Sequence, residues 1–512
     1  MSPATLTLFL LLLASLYSFF HILRAVHRKC VRKLPPGPRA LPIIGNLHML
    51  GNLPHQTLYQ LAKKYGPIMS LRLGNLPTVV LSSPSAAELF LKTHDLIFAS
   101  RPKLQAIEYM AYNSKGMIFA EYGSYWRDIK KLVTLELLSP SKIEFFGPIR
   151  RAELGCLVES LRRAAAAGEV VDLSDKVREL AENMVYKMIL GRSKDERFKL
   201  KESVAEGLNL SGGFNIADYV PWLGALDLQR LIPRFKAVSK HIDTILETII
   251  NEHEQDFGQR QQKDFGQRQQ KDFVDILLLR MNQHMSSHDN SQELKLDRTK
   301  LKAVILDMIA AAFDTSSTTI EWALSELQRH PQVKLKLQKE LEEVVGMDKI
   351  VEETDLGKLN YLDLVVKETF RLHPAVPLLL PHESTEDITV NGYDIPKKSR
   401  ILVNAWAIGR DPVAWSENAQ EFFPERFIGR DIDVRGHDFQ LIPFGSGRRG
   451  CPGLQLGVLT VKYVLAQLVH CFDLELADGM FPSGLDMTEK FGLTLPRANH
   501  FLVKPTYRLV NM

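Results

Sequence analysis

The sequence predicts a mainly α-helical protein with a smaller β-sheet region, carried behind a single N-terminal transmembrane anchor. Three observations lead to this prediction. Apolar residues recur at helical spacing through most of the 512 residues, two short stretches alternate as strands do, and the N-terminal segment is nearly all apolar. No Pro-, Ser- or Gly-rich linker divides the chain after that segment. We therefore expect one large domain over residues 39–512.

The composition excludes two classes of protein. A net charge of +4 is too small to indicate a nucleic-acid-binding protein. The four cysteines include no close pair, which argues against a disulfide framework and fits a reducing compartment. Hydrophobic residues make up 45% of the chain, which is ample for a large core.

The N-terminal segment has the composition of a membrane anchor. Leu6–Phe20 is almost continuously apolar, and about 17–25 such residues span a bilayer as a helix. A cleaved signal peptide is the alternative, but no basic residue precedes the apolar run and no small-residue cleavage site follows it. Residues 1–23 are therefore predicted to be a single-pass, uncleaved anchor. The basic residues that follow are Arg24, Arg28, Lys29, Arg32 and Lys33.

Residues 24–38 are predicted to form a hinge, first basic and then rich in proline. Positive residues beside a span stay on the cytoplasmic side, so the large domain is expected in the cytosol, at the endoplasmic reticulum membrane. Leu34–Pro38 contains three prolines and cannot continue a helix.

The first elements after the hinge are predicted to be two strands and a helix. Ile68–Leu73 and Thr78–Ser82 alternate as strands and are separated by the turn residues Gly74 and Asn75. A helix is predicted over 84–93, with Ser83 as its N-cap.

A helical pattern with amphipathic stretches then runs from residue 170 to 250. After it, Asp256–Lys263 is repeated residue for residue at Asp264–Lys271. The repeat has too few apolar residues to be buried, so it is predicted to be a solvent-exposed loop.

One stretch near the C-terminus carries the chemistry. Pro443–Gly453 places Cys451 among four glycines and two arginines, and an apolar stretch with helical spacing follows. Glycines let a backbone bend closely round a bulky group. A cysteine entering a helix N-terminus beside arginines is expected to have a lowered thiol pKa and to be held as thiolate. A Gly-rich turn with an ordinary buried cysteine is the alternative interpretation.

The filled pattern Phe444-x-x-Gly447-x-Arg449-x-Cys451-x-Gly453 resembles the haem-binding loop of the cytochrome P450 family, the haem-thiolate monooxygenases. The resemblance implies the fold of that family and haem b as cofactor. It implies that Cys451 ligates the iron, Arg449 faces a haem propionate and Phe444 shields the sulfur.

Trp126–Lys131 resembles the Trp-x-x-x-Arg element of the same family, in which both residues contact haem propionates. Here Lys130 stands where arginine is usual, and a lysine offers charge without a planar bidentate fork. The expected haem contacts of this element are Trp126 and Arg127, with Lys130 as a further candidate.

A long helix over 301–329 is predicted to activate oxygen. Three consecutive alanines that include Ala311 leave a flat surface for a planar macrocycle, and Asp314 and Thr315 follow. A threonine hydroxyl can bond to the carbonyl one turn earlier and bend a helix. A capping or solvated Asp-Thr pair is the alternative interpretation. The stretch resembles the family's oxygen-binding groove, where the acid and the alcohol deliver protons, although Ala312 stands where glycine is frequent.

Glu368 and Arg371 lie at i and i+3 on one predicted helix, a spacing that usually gives a weak surface pair. With Arg426 they resemble the family's Glu–Arg–Arg triad, a buried structural network behind the haem.

Two further stretches resemble pocket segments of the family, and a third precedes Trp126. All are mostly apolar, which indicates a neutral, hydrophobic substrate. The expected pocket residues are Ile107, Met110, Ala375, Val376, Leu378, Phe491 and Leu493.

The resemblance implies NADPH-driven insertion of one oxygen atom from O2 into a C–H bond. The chain lacks a Gly-rich dinucleotide motif after a strand, so NADPH and flavins are expected only through a partner, NADPH-cytochrome P450 reductase. A basic patch is expected to dock that partner, and the alternative interpretation is scattered surface charge. The residues of this expected patch are Lys130, Lys131, Arg448 and Lys462.

The proline-rich hinge, the element around Arg426 and the loop around Cys451 most resemble those of the plant A-type enzymes of the seventy-one clan, which act on specialised metabolites. A terpenoid such as a sesquiterpene is the favoured substrate because the pocket segments are so apolar, with a phenylpropanoid or biphenyl-type aromatic as alternative. Two functional rivals are a haem-thiolate isomerase or dehydratase, which has no need of Asp314 and Thr315 as a proton relay, and a non-catalytic haem protein.

Overall fold

The computed structural model describes residues 11–18, 32–192, 199–263, 272–286 and 295–510. The protein is mainly helical with small sheets, as predicted. The predicted anchor and the basic part of the hinge lie mostly outside the described residues, and of the anchor only residues 11–18 are seen, as exposed helix.

The α-helices range from single turns to two helices of about nine turns each. They are α1 (Pro54–Tyr65), α2 (Pro84–Glu88), α3 (Asp95–Phe98), α4 (Gln105–Met110), α5 (Ser124–Leu132), α6 (Pro140–Phe145), α7 (Gly147–Ala167), α8 (Leu173–Leu190), α9 (Leu200–Gly212), α10 (Pro221–Gly224), α11 (Leu231–Lys263), α12 (Phe273–Ser286), α13 (Arg298–Arg329), α14 (Pro331–Val344), α15 (Asn360–Leu372), α16 (Ala405–Ile408), α17 (Pro412–Trp415) and α18 (Leu454–Cys471).

The strands form three small sheets. The largest has the order β1-β2-β7-β4, in which β2 and β7 are parallel and the other pairs antiparallel. The second has the antiparallel order β3-β9-β8, and β5 pairs with β6. The strands are β1 (Ile68–Leu73), β2 (Leu76–Leu81), β3 (Val171–Asp172), β4 (His382–Glu383), β5 (Ile388–Val390), β6 (Tyr393–Ile395), β7 (Arg400–Val403), β8 (Phe472–Leu476) and β9 (Leu502–Tyr507).

Helix α13 runs through the centre of the molecule. Its first half, from Leu301 to Phe313, contributes to one buried apolar cluster together with α8, α11 and α12. Its second half, including Ile320 and Leu324, contributes to another cluster with α7, α15 and α18. The long helix predicted over 301–329 is therefore shared by both halves of the core, and its middle turn is placed between them.

Two helices are long and apolar enough to cross a membrane by composition alone, among the residues that the structure describes. They are α13 and α18, and both are more than half buried inside the protein. Core helices of a globular domain pass the same test, so neither helix is evidence of a membrane span.

The helix predicted after β2 ends earlier as an α-helix than the sequence indicates. Ser83 caps it as predicted, since its Oγ accepts the N–H of Ala86 at 3.2 Å. Only Pro84–Glu88 is α-helical, and Leu89–Thr93 continues as a wider π-helical turn.

The prediction of a loop for the repeat is wrong for its first copy. Residues 256–263 continue α11 to its end at Lys263, whereas the second copy lies outside the described residues. The reason is local: Gln, Arg and Lys are good helix formers, and extending an existing helix needs no new nucleus.

Candidate active site

The loop before α18 is a tight turn closed by its own backbone. The N–H of Cys451 donates to the carbonyl of Phe444 at 2.9 Å. Gly447 has φ of +67°, and a Cβ there would lie 2.4 Å from the carbonyl oxygen of Leu91. No residue with a side chain fits this position, so the glycine fixes the path that brings Cys451 to the start of α18.

The Cys451 sulfur faces the N-terminus of α18. The backbone N–H groups of Gly453 and Leu454 donate to it, as the sequence indicates. The side chain is accessible to solvent yet densely surrounded by protein atoms, so it lines a recess of the molecule.

The expectation of a lowered thiol pKa is wrong for the protein on its own. Burial raises the pKa of Cys451 and outweighs the opposite effects of the two N–H groups and of Lys130. A metal that coordinates the sulfur would favour the thiolate further, because it deprotonates a coordinating thiol outright.

Trp126, Lys130 and Arg449 form one stacked group beside the loop. The Arg449 guanidinium lies 4.3 Å from the centre of the Trp126 ring, and Lys130 Nζ lies 5.1 Å from it. Lys130 Nζ also donates to the carbonyl of Arg448 at 2.5 Å. Trp126 and Lys130 are four residues apart on α5 and share a face.

Arg127 does not join this group. It is exposed, because one residue along a helix turns the side chain about 100° away from Trp126. The structure therefore places Lys130, and not Arg127, beside the haem-loop arginine.

Two buried basic residues that the sequence analysis missed, Arg101 and His382, lie near Arg449. Arg101 donates to the carbonyls of Leu380 and Pro381 at 2.7 and 2.8 Å, and its Nε has no partner among the described residues. Burial and the charge of Arg449 lower the pKa of Arg101 to about 9. Burial and the same two arginines lower the pKa of His382 well below its usual value. A lone arginine and a lone histidine carry no spacing signal, so neither residue could be predicted from the sequence.

The middle of α13 presents small and polar groups. Ala311 is exposed on the helix surface, and the Thr315 hydroxyl donates to its carbonyl at 3.0 Å. The predicted back-bond is therefore present, while α13 continues as α-helix through this turn. The Asp314 carboxylate accepts a hydrogen bond from Thr494 of the last pocket segment.

Glu368, Arg371 and Arg426 form a buried network. Arg371 binds both carboxylate oxygens of Glu368, at 2.6 and 2.7 Å, and Arg426 Nε donates to Oε1 at 2.9 Å. All three are buried. The N–H of Phe423 donates to the same Oε1 at 2.7 Å, so the network also fixes the backbone before Arg426.

The expected pocket residues lie on three segments. A hydrogen bond joins the last two segments to each other, and an apolar cluster joins the first segment to α13. The N–H of Leu495 donates to Ala375 at 2.9 Å and ties 491–495 to the segment of Ala375, Val376 and Leu378. Met110 packs in the same apolar cluster as Ala310 and Ala312. Ile107 is buried on α4 outside that cluster. Phe491 stacks on His55 at 5.7 Å, and the backbone of Leu493 lies against Gly212.

The family model described as "Cytochrome P450" matches residues 35–502. The chain belongs to the cytochrome P450 family. It is 59% identical over 477 residues to Cytochrome P450 CYP736A12 of Panax ginseng, covering 93% of this chain and 94% of the relative. It is 41% identical to Flavonoid 3'-monooxygenase CYP75B137 of Crocosmia x crocosmiiflora, covering 98% of this chain and 99% of the relative.

A solved structure shares the fold. A zebra fish cytochrome P450 determined with abiraterone superposes with a TM-score of 0.72 at 25% identity, covering 89% of this chain and 100% of that one. Together with the plant relatives, these matches identify this P450 as a haem b monooxygenase of the plant A-type, seventy-one clan. A reductase that supplies electrons from NADPH through flavins is standard for the family.

The residues of this P450 fit haem b. Arg101 is buried and Arg449 is half-buried, and burial lowers the pKa of both. A macrocycle that carries two carboxylates would add negative charge beside these two guanidinium groups. Cys451 offers a thiol in front of α18, where two N–H groups stabilise the thiolate form once a metal is bound. Ala311 offers a flat, accessible surface on the facing helix.

The expected basic patch of this P450 is largely neutralised. Arg448 pairs with Asp95 at 2.9 Å, and Lys462 pairs with Asp363 at 2.5 Å. Lys130 is half-buried, whereas Lys131 is exposed. Of the four residues expected there, Lys131 and Arg448 are exposed, and only Lys131 of these two has no ion pair among the described residues.

Proposed function

We propose that this P450 hydroxylates a neutral, hydrophobic plant specialised metabolite, with a terpenoid such as a sesquiterpene hydrocarbon as the favoured class. One observation carries the proposal. The pocket residues assigned on three segments are aliphatic apart from Phe491, and Phe491 is stacked on His55. Aliphatic walls bind an aliphatic skeleton through burial alone, and they offer no charge to an acidic substrate.

Haem b, when bound, supplies the iron that binds O2 and transfers one oxygen atom. The chain's own groups hold the cofactor and deliver protons. Cys451 would ligate the iron through its sulfur, with Phe444 and Gly453 beside that sulfur. Arg449 and Trp126, with Lys130 in place of Arg127, are the proposed partners of the propionates.

Asp314 and Thr315 are the proposed proton-delivering residues. The Thr315 hydroxyl is held by the carbonyl of Ala311, so its oxygen is fixed on the surface of α13 that carries the alanines. Asp314 stands next to it and is half-buried, in reach of solvent and of the interior. Such an acid–alcohol pair moves protons inward while the apolar walls exclude bulk water.

An aromatic phenylpropanoid or biphenyl-type molecule is the second candidate substrate. The observation that favours it is the similarity to a relative at 41% identity, which is a flavonoid 3'-monooxygenase. The aliphatic assignment of the pocket residues argues for the terpenoid, because stacking partners for an aromatic ring are few among them.

The proposed setting is the endoplasmic reticulum membrane. Residues 1–23 act as the anchor, residues 24–38 as the hinge and residues 39–512 as the cytosolic domain, with NADPH-cytochrome P450 reductase as electron donor. Carbonate extraction of microsomes tests the anchor. The full chain should stay in the pellet, and a chain starting at residue 39 should be released far more readily.

Microsomes containing the full chain and a plant reductase test the function. A sesquiterpene hydrocarbon should displace the haem spin equilibrium and yield an alcohol that depends on NADPH. If a flavonoid gives the larger spin-state shift and is the only compound converted to product, an aromatic substrate replaces the terpenoid in this proposal. Rearrangement of a peroxide without NADPH would instead identify an isomerase or dehydratase.

A further inference from the structure

The last pocket loop, residues 489–497, is held by more polar contacts than its sequence indicates. It is a hairpin in which Glu489 and Arg497 are bridge partners and the N–H of Lys490 donates to Pro496 at 2.9 Å. Its far side is tied to the neighbouring pocket segment through Leu495 and Ala375. The backbone of this loop is therefore fixed along its length, and its side chains are presented at set positions.

The base of the loop is anchored by the Glu489 carboxylate. Only 7% of this side chain is exposed, and His55 Nε2 lies 2.8 Å from one of its oxygens. Gln56 and Trp406 donate to it as well, at 2.7 and 2.8 Å. Burial alone would raise the pKa of Glu489, but these bonds outweigh it and lower the pKa to about 2. Glu489 is thus ionised at neutral pH and is bound by donors from α1 and α16.

His55 links this anchor to the tip of the loop. Its ring is fully buried and stacks on Phe491, two residues beyond Glu489. The same ring meets Trp406 edge-on at 5.3 Å. A single buried histidine therefore holds both the charged base and the first aromatic residue of the loop.

The tip of the loop reaches the proposed proton-delivering residues. The Thr494 hydroxyl donates to Asp314 Oδ2, and both side chains are half-buried. The bond joins residues 180 positions apart in the chain, and the structure provides Thr494 as a donor to this carboxylate from outside α13. A carboxylate with one oxygen engaged cannot rotate freely, so its other oxygen is held in one direction.

We propose that Thr494 is a positioning residue for oxygen activation, which orients the Asp314 carboxylate for proton transfer, and that the Glu489–His55 pair keeps Thr494 in place. The inference rests on the proposed role of Asp314. Oδ2 accepts the hydroxyl hydrogen of Thr494, and Oδ1 remains to take up a proton from solvent and pass it to the interior. Loss of the hydroxyl frees the carboxylate and lowers the share of turnovers in which protons arrive in time.

Two matched variants of Thr494 test the proposal. Thr494→Val keeps the side-chain shape and removes the donor, whereas Thr494→Ser keeps the donor. The readouts are product formed per NADPH oxidised, hydrogen peroxide released, and substrate affinity from the spin-state titration. Thr494→Val should lower product per NADPH by about three- to tenfold and raise peroxide, with substrate affinity changed by less than about twofold. Thr494→Ser should restore the wild-type ratio. An unchanged ratio in Thr494→Val would overturn the proposal.

A double-mutant cycle separates this proposal from the function on which it rests. If Thr494 acts through Asp314, adding Thr494→Val to Asp314→Asn should cause no further loss of coupling. An additive loss would overturn the proposal and indicate that the hydroxyl contacts the substrate instead. Asp314→Asn with wild-type coupling would refute the proton-delivery role of Asp314 itself, which is a different failure.

The role of the Glu489–His55 pair is tested separately. Glu489→Gln keeps the shape and removes the charge, and it should lower product per NADPH in the same direction as Thr494→Val. The matched control is Asp486→Asn, an exposed carboxylate three residues earlier that accepts from Thr488 and Asn499, both outside the loop. It should leave the ratio unchanged. Wild-type coupling in Glu489→Gln, with the haem spectrum intact, would overturn the role of the Glu489–His55 pair.

Discussion

The carboxylate of Asp307 accepts the backbone N–H of Ile118 at 2.9 Å, and this bond ties α13 to the loop that precedes Trp126. The N–H of Met117 donates to the same carboxylate. A Cβ on Gly116 would lie 2.2 Å from Asp307 Oδ2, so only glycine allows this approach. The carbonyl of Met117 in turn accepts from Trp126 Nε1 at 3.1 Å. The loop at residues 116–118 therefore connects α13 to Trp126, which is one of the proposed haem contacts.

This carboxyl group should give the protein a pH-dependent stability near neutrality. Burial raises the pKa of Asp307 to about 7, and the two N–H groups offset only part of that effect. Because the folded pKa lies above the unfolded value of about 3.9, the stabilising contribution of protonated Asp307 is fully present below about pH 4 and is lost progressively as pH rises to about 7. The slope from this one group is at most about 1.4 kcal/mol per pH unit.

The comparison of wild type with Asp307→Asn measures this contribution. The difference in Tm between the two proteins should become less favourable to the wild type between about pH 4 and 7, and it should level off above about pH 7. Glu108→Gln is the matched control, since Glu108 is exposed on the neighbouring helix α4. A Tm difference that does not change with pH would show that Asp307 keeps one charge state throughout.

The Glu368 network should be far more sensitive to substitution than a surface pair of the same type. Glu368→Gln leaves the charges of Arg371 and Arg426 buried without their carboxylate, and such a loss costs about 3–5 kcal/mol. Glu352→Gln is the control, because its partner Arg151 is 58% exposed, and an exposed pair contributes about 0–1 kcal/mol. The Tm of thermal unfolding and the ratio of haem to protein should both fall in Glu368→Gln. Equal effects in the two variants would contradict the structural role of the network.

Lys130, and not Arg127, should affect haem retention. Lys130 is half-buried, and burial together with the charge of Arg449 lowers its pKa, whereas Arg127 is exposed. Lys130→Ala should reduce the ratio of haem to protein after purification, Lys130→Arg should retain it, and Arg127→Ala should leave it unchanged. Loss of haem only in the Arg127 variant would restore the assignment that the sequence favours.

Local spacing explains which parts of the site could be predicted from the sequence. The glycines around Cys451, the i, i+3 pair Glu368 and Arg371, and the back-bond of Thr315 depend on residues close together in the chain. Patterns of that kind are visible in a sequence because backbone geometry fixes which neighbours meet.

The parts that could not be predicted depend on contacts between distant segments. Arg101 reaches residues about 280 positions away, and Thr494 reaches Asp314 across 180 positions. The pKa of Cys451 was predicted in the wrong direction for a related reason. The N–H groups that lower it are local, whereas the burial that raises it comes from the whole fold.

Cys451→Ser should remove the thiolate signature and leave the loop intact. The backbone bond from Cys451 to Phe444 does not involve the side chain, so serine keeps the turn while it replaces the sulfur. The carbon monoxide difference spectrum of the reduced protein should lose the long-wavelength Soret band typical of thiolate ligation.

Cys156→Ser is the matched control for the ligand, because Cys156 is an exposed cysteine on α7. Its spectrum should equal that of the wild type.

The reactivity of Cys451 compared with Cys156 also tests why the Cys451 thiol becomes a thiolate. Burial raises the pKa of Cys451 above its usual value, so the cysteine of the haem-free protein should react slowly with a thiol reagent at neutral pH, and more slowly than Cys156. Rapid modification of Cys451 in that form would show that the helix N-terminus alone produces the thiolate, without help from a metal.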